Sequence, residues 1–379
     1  MKILQIIPYF TPKCGGDVNI VYNLSNQLLK RGHEVTIFTT DFEPDWEYVK
    51  SLDGVCVVPF HCIANIGLML ISMGMKKQLK KEIRDFDIIH MHDFRSYQNI
   101  VTYRYAKKYN VPYVLQAHGS VLPFFQKQGL KRIFDLFFGY KILRDASKVI
   151  ALTRTEAVQY KKMGIDEDKI EIVPNGIDLS EYENLPEKGE FRKKYSIRDD
   201  EKIILYLGRI HKIKGIDLLV KAFADLINVL DGVRLVIAGP DDGFLSTLKG
   251  QIEDFKINDK ILFTGPLYGR DKLEAYADAD VYVLPSVYEI FGITVLEACA
   301  CGTPVIITDR CGIADIIDDK VGHVVEYDKD QLQDAIIKVL SDEELRMRFG
   351  EGGRRLVREE FGWGGVVGRL EQIYKKVTT

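Results

Sequence analysis

Short apolar runs alternate with helical patterns along the whole chain, and this alternation restricts the possible folds more than any other feature. KILQIIP, EVTIFTT, GVCVVPF, DIIHMH, VPYVLQA, SKVIALT and KIEIVP read as strands of a first sheet. A polar, turn-forming segment follows, NGIDLSEYENLPEKGEFRKKY, and then a second series: KIILYLG, VRLVIAG, KILFTG, DVYVLP and TPVIIT. Strands separated by helices pair in parallel, with helices covering both faces, so the predicted class is α/β with doubly wound sheets. At 379 residues the chain exceeds one ordinary core, and two units joined near residues 175 to 195 are expected. The divisions are 1–180 for a first unit, 181–361 for a second, and 362–379 for a last helix. That helix carries Trp363, Val366, Val367, Leu370, Ile373 and Tyr374 on one apolar stripe, the mark of packing against another surface.

Hydrophobic content of 46% and charged content of 28% describe a globular protein. MKILQIIPYF reaches Pro8 too soon for a signal peptide's apolar core and reads as a first strand. Cys62 to Met75 is the longest weakly polar stretch and is shorter than a membrane span requires. The six cysteines show neither CxxC nor a spacing paired with His, which suits reduced thiols in a cytoplasmic protein. The net charge of −3 hides an asymmetry: residues 1–180 hold 24 Lys and Arg against 19 Asp and Glu, and the remainder 28 against 36. A basic first half suits an anionic partner such as a lipid-linked acceptor or a membrane surface. Phe124 to Asp145 mixes aromatics with Lys127, Lys131, Arg132 and Lys141, as an interfacial helix does; the competing reading is a buried core helix with solvated charges. No nucleic-acid partner is expected.

In open α/β sheets ligands bind beyond the carboxyl ends of the strands, and the polar constellations stand there. SVYEIFGITVLEACACGTPVI places Glu289 in a loop, Phe291 and Gly292 at a turn, and Ile293, Thr294 and Glu297 on the helix that follows. The N–H groups of residues 292 to 295 and the helix dipole favour a diphosphate there. The two carboxylates can each accept paired hydrogen bonds from vicinal hydroxyls, Glu289 from a sugar and Glu297 from a ribose. RIHKIKG puts Arg209 and Lys214 in one loop, a pair of cations fit for a diphosphate. Gly15 and Gly16 follow the first strand, and His92, Asp93 and His118 follow two others; His118, in AHGS, is the better catalytic candidate. Asp278 and Asp280 spell DxD at a helix end where nothing supplies further oxygens, so no metal site is expected. No G-x-G-x-x-G follows a strand, which argues against a dinucleotide cofactor.

Taken in order, the Gly pair, AHG at 117–119, VPNGID at 173–178, LGR with KG at 207–215, the two glutamates and ACGTPV at 300–305 resemble the retaining glycosyltransferases of family 4. The resemblance spans nearly the whole chain. It implies the GT-B fold, two Rossmann-like doubly wound parallel-sheet domains facing a cleft, with the last helix crossing back to the first. It implies transfer of a hexose-type sugar from a nucleoside-diphosphate sugar to a hydroxyl of a glycan, lipid-linked or small-molecule acceptor. No metal or cofactor is expected; peripheral contact with the cytoplasmic face of a membrane through the first domain rests on the basic first half and on Phe124 to Asp145, where the buried-helix reading stays open. By that likeness Arg209 and Lys214 hold the diphosphate, Glu297 the ribose and Glu289 the sugar. His118 lines the reacting centre, the Gly15–Gly16 loop closes over the phosphates, and backbone at Gly239 and near Leu267 flanks the base. Two positions depart from the family pattern: Cys311-Gly312 with a later Asp315, and Ile290 where glycine is frequent. Two alternatives stay open, a nucleotide-sugar epimerase of the same architecture and a non-catalytic nucleotide-sugar binding protein.

Overall fold

The computed structural model describes residues 1–11, 16–43, 45, 47, 49, 54–66, 69–124, 127–317 and 319–378. The chain divides into two compact units, Met1–Gly176 with Trp363–Thr379, and Ile177–Gly362.

In the first unit β1 (Lys2–Tyr9), β2 (Glu34–Thr40), β3 (Cys56–Phe60), β6 (Ile88–His92), β7 (Tyr113–Gln116), β8 (Lys148–Ala151) and β9 (Ile170–Ile172) form a seven-stranded sheet. Its order is β3-β2-β1-β6-β7-β8-β9, parallel throughout. A short antiparallel hairpin, β4 (Ala64–Ile66) and β5 (Met69–Ile71), lies inside the weakly polar stretch that gave no strand signal in the sequence. The strands are near-continuous apolar runs because helices cover both faces, and one of those helices is the last, Trp363–Thr378. Its six stripe residues are all buried, in one cluster with Ile3, Leu24, Leu28 and Ile88. Gly176 accommodates this helix, since a Cβ there would overlap the Trp363 indole.

The second unit has β10 (Lys202–Leu207), β11 (Val233–Ala238), β12 (Ile261–Gly265), β13 (Val281–Leu284), β14 (Val305–Thr308) and β15 (Gly322–Val325) in the order β12-β11-β10-β13-β14-β15, again all parallel. Strand β15 was not anticipated. The chain enters and leaves this unit side by side, with the Ile177 N–H donating to the Phe361 carbonyl at 2.8 Å.

Candidate functional site

Strand order reverses between β10 and β13, and it is at the carboxyl edge of such a reversal that open α/β sheets bind ligands. The loop after β10 ends in a short turn, Lys212–Lys214, whose start is capped by His211 Nδ1 accepting the Ile213 N–H at 3.1 Å. Gly215 then takes φ 66°, and a Cβ there would overlap the Pro285 carbonyl oxygen. That close approach, with the Val287 N–H donating to the Ile213 carbonyl at 2.9 Å, brings the two loops together. The outcome is an ion pair between Lys214 Nζ and Glu289 Oε2, both side chains less than a fifth exposed.

Glu289 is fixed through its backbone: its N–H donates to Arg310 O at 3.2 Å, and its carbonyl accepts the Gly312 N–H at 2.7 Å. Ile290 and Phe291 are buried beside it, with Phe291 edge-on to Phe361. Gly292, at φ 66°, opens the helix Ile293–Cys301. Among the described residues the N–H groups of Gly292, Ile293 and Thr294 have no protein acceptor. The expectation of four such groups needs correction, because the Val295 N–H donates to Gly292 O at 2.9 Å to complete the first turn.

Glu297 lies one turn along and is held by two donors, Lys272 Nζ at 2.7 Å and the Tyr276 hydroxyl at 3.1 Å. The Tyr282 hydroxyl donates to Leu207 O at 3.1 Å and lies 2.6 Å from Thr294 Oγ1, so buried tyrosines from a helix and a strand brace this end of the helix from below.

Arg209 stands earlier in the loop after β10. Its guanidinium pairs with Asp242 at 2.7 Å and is well exposed. Gly239 is required where it stands, because at φ 146° a Cβ would overlap Gly208 O; its N–H donates to Gly265 O at 2.8 Å. Leu267 is buried in the loop after β12. The anticipated residues of this unit therefore all lie on carboxyl-edge loops of β10 to β13 or on the helix after β13. Asp278 and Asp280 lie elsewhere and work as structural acceptors: Asp278 takes the N–H of Gly189 at 2.5 Å and of Arg192 at 2.9 Å, and Asp280 the N–H of Ile203 at 2.9 Å.

In the first unit the reversal falls between β1 and β6. Gly15 lies outside the described residues. Gly16 has φ −74°, and a Cβ there would meet nothing within 4 Å, so its backbone does not demand glycine. His118, after β7, has a left-handed backbone and stacks on His92, its Nε2 lying 2.9 Å from His92 Nδ1. His92 Nε2 lies 2.6 Å from the Gln5 amide oxygen, and His90 Nδ1 lies 2.7 Å from the Tyr374 hydroxyl. Burial lowers His90 to about 3 and His118 to about 4, and holds His92 well below the ordinary imidazole range, so all three rings are neutral at pH 7.

Glu156 is fully buried and accepts the N–H of Gly119 at 2.6 Å and of Leu152 at 2.7 Å; burial still raises it to about 7. Asp93 has φ 59°, and burial, with the Asp17 carboxyl adding to it, pushes it well above the carboxylate range. Sequence reasoning passed over Gln5, His90, Glu156 and Lys272, and took Tyr374 for a packing residue alone. Two of these left a trace: His90 and His92, two apart in a strand, share a face, and Thr-x-x-Glu at 153–156 is a helix-start pattern.

Residues 14–181 match the family described as Glycosyltransferase Family 4, and residues 187–356 match Glycosyl transferases group 1. An uncharacterised glycosyltransferase of Methanocaldococcus jannaschii is 29% identical over 99% of this chain and 98% of its own. The alpha-monoglucosyldiacylglycerol synthase of Streptococcus pneumoniae is 29% identical over 90% of this chain and 78% of its own. Among solved structures, HepE of Anabaena in complex with UDP has a TM-score of 0.84 at 17% identity, covering 99% of this chain and 100% of that one. Together the two family matches take in both units, and the chain is a family 4-like glycosyltransferase of the GT-B fold.

Proposed function

We propose that the second unit binds a nucleoside-diphosphate hexose and that the chain transfers the sugar, with retention at the anomeric carbon, to a hydroxyl of a glycan, lipid-linked or small-molecule acceptor taken by the first unit. The observation that carries this reading is the Lys214–Glu289 ion pair beside the unpaired N–H groups of Gly292 to Thr294, at the sheet edge where strand order reverses. A helix start with free N–H groups and a half-buried cation suits a diphosphate. When phosphate oxygens take up Lys214, the Glu289 carboxylate is released to accept sugar hydroxyls. Glu297, already oriented by Lys272 and Tyr276, would accept the ribose hydroxyls. HepE, solved with UDP, and the diacylglycerol enzyme supply supporting analogies for donor and acceptor.

In the reaction the bond between the anomeric carbon and the phosphate oxygen breaks, and the acceptor oxygen bonds to the same face. The acceptor proton passes to a phosphate oxygen. Positive charge builds on the ring and negative charge on the leaving diphosphate; Lys214, Arg209 and the helix N–H groups stabilise the latter without a metal. His118, neutral, would line the acceptor side. The enzyme would work at the cytoplasmic face of a membrane, in peripheral contact through the first unit.

The test is to incubate the protein with UDP-, GDP- and ADP-hexoses and candidate acceptors and follow the anomeric protons by NMR. An α-donor giving an α-product supports the reading, and a β-product overturns retention. Isomerised donor formed without acceptor would favour the epimerase, and donor bound but unchanged would favour the binding protein.

A further inference from the structure

The sequence leaves Phe124–Asp145 open between an interfacial and a buried helix, and its described side chains divide between core and solvent. Its helical rod runs from Gln128 to Asp145, with a wide turn at Asp135–Gly139. Phe134, Ile142 and Leu143 face the core, while Leu130, Ile133, Leu136, Phe137, Phe138 and Tyr140 are exposed, Leu136 by 70% and Phe137 by 61%. Six large apolar side chains on one short rod far exceed the scattered exposure normal for a surface. The charges around them are of one sign. Arg132 and Lys141 are exposed, whereas both acids are occupied: Asp135 is sealed under Arg95 by two bonds of 2.8 and 2.7 Å, and Asp145 takes Lys107, the Tyr103 hydroxyl and, at 3.4 Å, Arg144.

We infer that this face docks onto an anionic lipid surface, its apolar side chains entering the acyl boundary and its cations meeting lipid phosphates. The inference rests on the reading that the first unit takes the acceptor, and it names the surface that delivers it. An uncharged partner would leave the cations without function, and a second copy would bring like-charged rims together. Among the described residues no helix is long and apolar enough to cross a membrane, so the rod would lie in the interface plane. Arg95 makes the face more than an anchor. Besides Asp135 it binds the carbonyls of Ser120 and Val121, next to His118 and Gly119, so the docking rod and the histidine loop share one buried guanidinium.

The test is co-sedimentation with phosphatidylcholine vesicles, with and without phosphatidylglycerol, at low and high salt, alongside the thermal shift given by UDP-glucose. The wild type is expected to pellet with the anionic vesicles and to be released by salt. Leu136→Gln combined with Phe137→Gln should lower the bound fraction at least about tenfold, with melting temperature and nucleotide response kept, since both side chains already stand in solvent. Arg132→Gln combined with Lys141→Gln should weaken binding to the anionic vesicles alone. Wild type left in the supernatant, or a Leu136/Phe137 variant that pellets like wild type, overturns the inference. A concentration-dependent dimer broken by the same variant, without vesicle binding, overturns it as well. Vesicle binding without any nucleotide response leaves the docking surface standing and removes the donor reading alone.

Discussion

Lys214 and Glu289 neutralise each other at the carboxyl edge of the second sheet, and the proposed chemistry depends on exchanging that pairing for a diphosphate. Lys214→Ala removes one preorganised donor to the leaving group and is expected to raise the barrier by about 2–4 kcal/mol, read as a fall in kcat with a smaller change in KM. Unchanged turnover would remove Lys214 from the mechanism. In the first unit the hydrogen-bond chain assigns a tautomer. With the Gln5 amide oxygen turned to His92, His92 Nε2 carries the proton, its bare Nδ1 accepts, and His118 Nε2 must donate. His118 then keeps a bare Nδ1, able to accept a hydroxyl proton but not to give one. Nitrogen-15 NMR should find His118 protonated at Nε2, with the two tautomers mixing once His92→Phe removes the acceptor; a native His118 protonated at Nδ1 would reverse the polarity of the chain. Glu289 and Lys214 could be picked out as candidates because each stands in a loop after a strand in a short motif, and Glu297 because it follows on the helix that the same motif opens. Gln5 and Lys272 could not, since each reaches its partner from an element distant in sequence.

At the scale of elements, the two loops meet because of Gly215. Gly215→Ala must strain a left-handed backbone and push away the Pro285 carbonyl, and is expected to cost about 1–3 kcal/mol in urea unfolding. The same variant should weaken donor binding by moving Lys214; full stability with normal binding would contradict this packing account. The histidine row makes a pH prediction. Each ring stays neutral when folded, while the unfolded chain takes up protons as pH falls below about 6.5, so stability is lost on acidification through that range. Glu156 acts in the opposite sense: folded it keeps its proton up to about 7, where the unfolded side chain has already lost it, so acidification through that window favours folding. Asp93, held well above the carboxylate range by burial, acts in the same sense as Glu156, and three rings outweigh two carboxyls. His118→Asn should flatten the slope of unfolding free energy between pH 5 and 6 by about 1.4 kcal/mol per pH unit. The long apolar strands of both sheets were legible for the reason they exist, burial on two faces. Strand β15 was not, because GHVV is four residues long with a histidine among them; its place comes from Gly322, which lets it lie against Val305.

At the scale of the molecule, the chain makes two parallel sheets and returns to the first unit only in its last helix. The stripe on that helix was plain in the sequence, but the surface it covers came from the family likeness, since an apolar face does not name its partner. Ending the chain after Gly362 would uncover a surface that now buries six side chains, each worth about 1.5–3 kcal/mol, a sum comparable to the stability of a whole domain. Hydrogen exchange on such a truncated protein should show the first unit unprotected and residues 177–362 still protected; a fully protected first unit would show that the helix is dispensable. The central claim is that the second unit holds a sugar diphosphate on Lys214 and the helix start at Gly292. It is tested most directly by thermal shift of the wild type and of Lys214→Ala against UDP-, GDP- and ADP-sugars. At least one donor should raise the melting temperature of the wild type and do markedly less for the variant. A donor that stabilises both proteins equally, or none that stabilises the wild type, would contradict the account.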